Sequence, residues 1–261
     1  IGSRNHTHII CTTPVGVGTN HAVAITVNSQ TINKASLFSY QAPVLTSVSG
    51  CVDVGSTTTE CPTNGAQTIT LIGSNFGASG ATITVNSNNC PSVVYVSSTK
   101  LTCTLPAGLS FDIPVKVTVG GQASNEIKIT YAGPIITSNS LDFSPTSGST
   151  GNKTLSNILG GQTVVLVGKY LNPFGSSTIK YGIAGATYAN KQYTCAVVSM
   201  SNTNIQCTIA AGTGASLSFI VHDSQQYSPE STDTISYPQP QMVASSIRDD
   251  NAASSPGTSV S

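Results

Sequence analysis

Three tyrosines mark the same place in a repeating pattern. Tyr40, Tyr131 and Tyr237 each stand three residues before a proline, Pro43, Pro134 and Pro240, and each closes a short strand. Upstream of each runs an alternating apolar segment: Val23, Ile25 and Val27; Val115, Val117 and Val119; Leu217, Phe219 and Val221. Farther upstream sits one cysteine in a similar context, in Ile10-Cys11-Thr12-Thr13-Pro14, Leu101-Thr102-Cys103-Thr104-Leu105-Pro106 and Ile205-Gln206-Cys207-Thr208-Ile209. The cysteines lie 92 and 104 residues apart and the tyrosines 91 and 106. A period near 100 residues is the length of one β-sandwich, so the chain reads as a tandem array of them.

Composition agrees. Ser and Thr together supply 71 of 261 residues, and with valine they suit pleated surfaces, while 24 Gly and 13 Pro supply turns. No window repeats apolar residues at helical spacing for three turns, and no apolar run reaches the ~18 residues of a membrane span. Charged residues make up 8% of the chain, against roughly 25% in ordinary globular proteins, and ten of each sign cancel. That balance excludes a basic nucleic-acid surface and an acidic solvating tail. The 38% hydrophobic content is still enough to build cores.

The two complete units also share a front half. Thr68-Ile69-Thr70-Leu71-Ile72-Gly73-Ser74-Asn75-Phe76-Gly77 matches Thr163-Val164-Val165-Leu166-Val167-Gly168-Lys169-Tyr170-Leu171-Asn172, each a strand ended by a glycine. These motifs, with the late cysteine and the closing tyrosine, resemble the IPT/TIG family of immunoglobulin-like modules. The resemblance covers nearly the whole chain and weakens after residue 134, where the G-x-N-F-G motif has drifted. It implies an all-β fold of tandem immunoglobulin-like (IPT/TIG) β-sandwiches. Residues 1–42 align with the C-terminal half of a module, 43–133 with a complete one, 134–239 with a complete but more divergent one, and 240–261 with the N-terminal strand of a further one. A half sandwich exposes an inner face and strand edges, so something outside these residues is expected to finish each end.

Seven cysteines make three pairs and one remainder. Cys90 with Cys103 and Cys195 with Cys207 lie at equivalent places in their modules, and Cys51 with Cys61 brackets the loop after a first strand. Cys11 is expected to be unpaired or paired outside the chain. The alternatives are free buried thiols, or a metal site, which the lack of any C-x-x-C disfavours. Pairing implies an oxidising, extracellular setting. Asn5-His6-Thr7 and Asn152-Lys153-Thr154 are glycosylation acceptors, making Asn5 and Asn152 candidate glycan sites, and Asn88-Asn89-Cys90 is a rarer N-x-C form.

Catalytic chemistry finds little to stand on. His222-Asp223-Ser224 carries triad residue types side by side, where a triad needs them to converge from separate elements. His6 and His8 alternate along a predicted strand, with no third ligand near in sequence. Asp249-Asp250-Asn251 lacks the downstream Gly and Glu of a calcium loop. No catalytic site, metal or cofactor is expected. The expected function is a non-enzymatic, glycosylated, extracellular structural protein, the repeating unit of a surface fibre assembled head to tail. In it the segment from Pro240, through Met242, Val243 and Ile247, supplies the assembly strand that completes residues 1–42 of the next copy. The alternative is a fragment of a long cell-surface adhesion or recognition receptor with a tandem IPT/TIG stalk. Expected partners are further copies of the chain, other cell-surface proteins and covalent glycans, with no nucleic acid and no membrane span. A third possibility, polysaccharide binding, has only Tyr188, Tyr193 and Tyr227 as candidates.

Overall fold

The computed structural model describes residues 2–143, 151–171 and 177–242. Two β-sandwiches follow one another, each with its own core, and a pair of hairpins precedes them.

In the first sandwich one sheet runs, in spatial order, Val94–Ser97, Lys100–Thr104, Thr68–Ser74 and Val44–Ser49. The other runs Asn88–Asn89, Thr82–Val85, Ile113–Val119 and Gln122–Ala123, with Ile127–Ile129 also on Ile113–Val119. Period-two patterning decides which side chains face inward: along Ile113–Val119 the odd positions are buried and the even ones, Pro114, Lys116 and Thr118, are half exposed. Ile69, Leu71, Leu101, Val115, Val117 and Tyr131 meet between the layers. Each fully buried aliphatic side chain contributes roughly 1.5–3 kcal/mol. The Cys90–Cys103 bridge joins the two layers inside this core, with Cα atoms 5.8 Å apart.

The shared strand-ending glycine has a steric cause. A Cβ on Gly73 would lie 2.0 Å from the Val44 carbonyl oxygen, and one on Gly168 2.1 Å from that of Ile135. At both places the opening strand of the module crosses so closely that only glycine fits.

The second sandwich differs in connectivity. Its sheets fuse, because the long strand Tyr193–Met200 pairs with Thr178–Ile183 through its first half and with Asn204–Thr208 through its second. The result is one nine-stranded sheet folded over its core. A register shift between Val197 and Ser199 accompanies the change of partner. Leu217–Asp223 also departs from simple alternation: besides Leu217, Phe219 and Val221, Ser218 and Ile220 are buried. Over Ser218 the cover includes Lys191, whose ammonium lies 2.8 Å from its hydroxyl, while Ile220 sits with Tyr188 and Tyr227.

Each repeat ends in the same tyrosine lock. The hydroxyls of Tyr40, Tyr131 and Tyr237 donate to the carbonyl oxygens of Pro14 (2.7 Å), Pro106 (2.8 Å) and Ala210 (2.6 Å), each three residues beyond the recurrent cysteine. Gly16 and Gly108 lie under the first two rings, where a Cβ would fall 2.4 and 2.5 Å from ring carbons. The second sandwich modifies the lock: Tyr193 takes the place over Gly212, and Tyr181 bonds Tyr237 hydroxyl to hydroxyl at 2.8 Å. Burial pushes the Tyr131 and Tyr181 phenols well above the ordinary tyrosine value, the Tyr237 bond adding to the shift at Tyr181.

Candidate functional site

The hairpin ahead of the first sandwich is the most unusual surface of the molecule. His21–Val27 pairs with Gln30–Phe38 across the two-residue turn Asn28-Ser29, both left-handed at φ 49° and 66°, the geometry that matches the twist of a hairpin. Val23, Ile25 and Val27 share one face with Ile32, which lies directly opposite Ile25. By repeat position they correspond to Val115, Val117 and Val119, which are at most 1% exposed in the first sandwich. In the hairpin Ile25 is 39%, Val27 64% and Ile32 66% exposed. Ile113–Val119 has neighbours on both edges, whereas His21–Val27 pairs only with Gln30–Phe38 among the described residues. Among the described residues, the apolar face and the outer backbone edges of the hairpin, that of His21–Val27 included, are therefore left without strand partners.

The root of the hairpin, by contrast, is anchored. His21 lies within 5.3 Å of Phe38 and 5.1 Å of Tyr40, centroid to centroid, and its Nε2 is 2.8 Å from the Val17 carbonyl oxygen. Val17 packs onto the core of the following sandwich, and Gly18 abuts Gly120 there. Gln122 Nε2 donates to the Tyr40 carbonyl at 3.1 Å, and Asn75 Nδ2 to that of Ala42 at 3.1 Å.

The junction between the two sandwiches repeats this grip. Gln226 Nε2 donates to the Tyr131 carbonyl at 3.1 Å, and Thr63 Oγ1 to Asn202 Oδ1 at 2.8 Å. Gln122 and Gln226 occupy equivalent hairpin places, opposite Val119 and Asp223 respectively. Each sandwich thus holds the carbonyl of the tyrosine that closes the unit before it.

The IPT/TIG domain family matches residues 53–131, the part whose two sheets, closing tyrosine and inter-layer bridge have just been described. Residues 53–131 are an IPT/TIG domain. No curated protein matches the chain. Among solved structures, a surface glycan-binding protein from Prevotella bryantii is 19% identical, covering 74% of this chain and 42% of its own, with a TM-score of 0.42. The plexin A4 extracellular region is 14% identical, covering 77% of this chain and 17% of its own, with a TM-score of 0.32. A Bacteroides ovatus glucan-utilisation protein, solved with a mixed-linkage heptasaccharide, is 15% identical, covering 90% and 67%, with a TM-score of 0.24. The chain spans less than half the length of the first two.

In the first sandwich, sulfur pairs join Cys51 to Cys61 and Cys90 to Cys103, and Cys195 pairs with Cys207 in the second. Cys11 is free and exposed. Asn5 heads a turn, its Oδ1 accepting from the Thr7 and His8 amides at 2.9 and 2.7 Å. That turn separates the strands Ser3–Arg4 and Ile9–Ile10, so His6 and His8 sit in it rather than on one strand face as their alternation predicts. An asparagine side chain that satisfies two amides outcompetes strand pairing. Asn152 is exposed and accepts from the Thr234 amide at 3.0 Å. Met242 is 84% exposed, while Val243, Ile247 and Asp249-Asp250-Asn251 lie outside the described residues.

Two features escape sequence reasoning. Lys191 is a fully buried cation, donating to the Ile183 carbonyl at 2.9 Å, to Ser218 Oγ at 2.8 Å and to Glu230. Burial works to raise the Glu230 carboxyl, but hydrogen bonds from Lys191, Ser218 and the Gly185 amide hold it below its usual value. The second feature is a ring cluster. Tyr188 and Tyr227, candidates from sequence, come together with His222, whereas Tyr193 stacks on Tyr181 inside the sandwich at 5.1 Å. His222 is thus engaged with rings rather than with a nucleophile, and Asp223 beside it is buried.

Proposed function

We propose that this chain is a non-enzymatic structural and recognition element of an extracellular surface, and that its N-terminal hairpin is finished by a strand from a neighbouring copy docked head to tail. The carrying observation is the contrast between Val115, Val117 and Val119, sealed in the IPT/TIG domain, and Val23, Ile25 and Val27, whose equivalent face lies open beside an unpaired edge. Strand addition satisfies both at once: backbone groups pair along the edge while alternate side chains cover the face. The donor in this reading is the segment from Pro240 through Met242, Val243 and Ile247. Such a contact is heterologous, so it propagates into a fibre instead of closing.

Three further features support the setting. The cysteine bridges fit an oxidising compartment. Asn5 and Asn152 are the proposed glycan sites, both at exposed positions that a sugar can reach. The repeated glutamine grip at both junctions suits a semi-rigid rod of the kind a fibre or stalk needs. The same hairpin face also fits a second reading, in which the completing strands are covalently continuous within a longer surface receptor.

Sedimentation of the isolated chain across a concentration series, with electron microscopy of the heaviest fraction, separates the two. Concentration-dependent filaments that Val27→Asp abolishes support completion by a second copy. A chain that stays monomeric at every concentration sinks it.

A further inference from the structure

We infer that the outer face of the second sandwich carries a binding site for a neutral hexopyranose residue of a glycan, built from Tyr188, His222 and Tyr227. The His222 and Tyr227 rings stack at 4.3 Å with 23° between their planes. Tyr188 closes the group at 5.2 Å from each. Together with Ile220 the two tyrosines border a cleft of about 350 Å³. That is at the lower end of the roughly 300–1,000 Å³ of small-ligand clefts, room for one or two sugar rings rather than a peptide.

Nothing in the fold demands aromatic rings there. His222 pairs with Tyr227 across the same hairpin place where the IPT/TIG domain pairs Thr118 with Ala123, and the neighbouring pairs, Asp223 with Gln226 and Val119 with Gln122, keep the junction glutamine in step. The first sandwich builds the hairpin and its grip with two small residues. The rings also lie outside the buried core cluster, and Tyr227 is 55% exposed. A preassembled group of three rings, Tyr227 exposed and Tyr188 and His222 half-buried, that packing does not require has the character of a recognition surface.

The chemistry around it selects a sugar. Tyrosine and histidine rings offer flat apolar faces for the C–H side of a pyranose, with polar edges for its hydroxyls. Thr178 Oγ1 lies 2.6 Å from the Tyr188 hydroxyl, and Lys180 Nζ sits 5.2 Å from the Tyr188 ring centre. These supply hydroxyl and ammonium partners at the rim. A single lysine on a chain of zero net charge is too little to hold a polyanion, which leaves an uncharged glycan as the fitting ligand. The inference stands apart from the strand-addition reading, since Tyr188, His222 and Tyr227 lie neither in the N-terminal hairpin nor in the segment from Pro240 onward.

Isothermal titration of the full chain with cellohexaose, maltohexaose, mannohexaose and a free high-mannose N-glycan tests it. Saturable binding to at least one is expected, weakened about tenfold by Tyr227→Ala and further by the double variant with Tyr188→Ala. Melting temperature and near-ultraviolet circular dichroism of Tyr227→Ala establish that the sandwich is intact, and Tyr227→Phe should bind nearly as well as the parent chain. Preference for the N-glycan assigns the ligand to sugars on neighbouring copies; preference for a linear hexaose assigns it to a free polysaccharide. No binding to any probe, binding confined to heparin, or affinity unmoved by the double variant overturns the inference.

Discussion

Gly108→Ala should unlock the IPT/TIG domain. An ideal Cβ at that position lies 2.5 and 2.6 Å from two carbons of the Tyr131 ring and 2.7 Å from its hydroxyl oxygen. The ring cannot yield cheaply: it is 1% exposed, its hydroxyl bonds Pro106 at 2.8 Å, and its own amide bonds the Ser110 carbonyl at 3.0 Å. Overpacking costs about 1–3 kcal/mol, and displacing the hydroxyl strands a polar group at a further ~1–3 kcal/mol. Taking about 3 kcal/mol for a module of this size, the melting temperature should fall by roughly 12–24 °C. Scanning calorimetry of the whole chain reads it, and Tyr131→Phe isolates the hydrogen-bond part at ~1–3 kcal/mol. The equivalent Gly16→Ala should cost much less, because Tyr40 is only half buried and can swing into water. A Gly108→Ala transition within about 2 °C of the parent, or an equal loss at Gly16, would refute the lock as a source of stability.

Acid should weaken the second sandwich through Glu230. Its folded pKa lies below the unfolded value of ~4.3, so the stabilisation is complete above that pH and is lost as pH falls through the lower folded value. Lys191→Met should flatten that dependence, and a pH–stability curve unchanged by the substitution would contradict the assignment. Opening the Cys195–Cys207 bridge with paired serine substitutions should cost roughly 2–3 kcal/mol, the contribution of a loop of about a dozen residues, measured by denaturant unfolding under non-reducing conditions.

What could be read from the chain, and what could not, divides by the range of the interaction. Alternating valines and a cysteine upstream of them are local patterns, so the strand Ile113–Val119 and the Cys90–Cys103 bridge are legible in the sequence. The closing tyrosines were visible too, but not their purpose, because a hydroxyl reaching a carbonyl 25 residues away leaves no periodic trace. Gln122 and Gln226 look like ordinary turn residues until cross-strand register aligns them. The same holds for His222 and Tyr227, five residues apart in a chain that gives no hint they stack. Lys191 and Glu230 are 39 residues apart and meet only because Thr178–Ile183 and Leu217–Asp223 are neighbours. Fusion of the second sandwich's sheets was hidden because the strand Tyr193–Met200 reads like any other; its extra length alone lets it serve two partners.

Amide hydrogen exchange along His21–Val27, followed from dilute to concentrated chain, tests the central idea most directly. If a neighbour completes the hairpin, the amides facing the open edge exchange quickly in dilute solution. They then become protected on assembly to the level of Ile113–Val119, while the amides already bonded to Gln30–Phe38 change little. Fast exchange at every concentration, or protection already complete in the monomer, contradicts it.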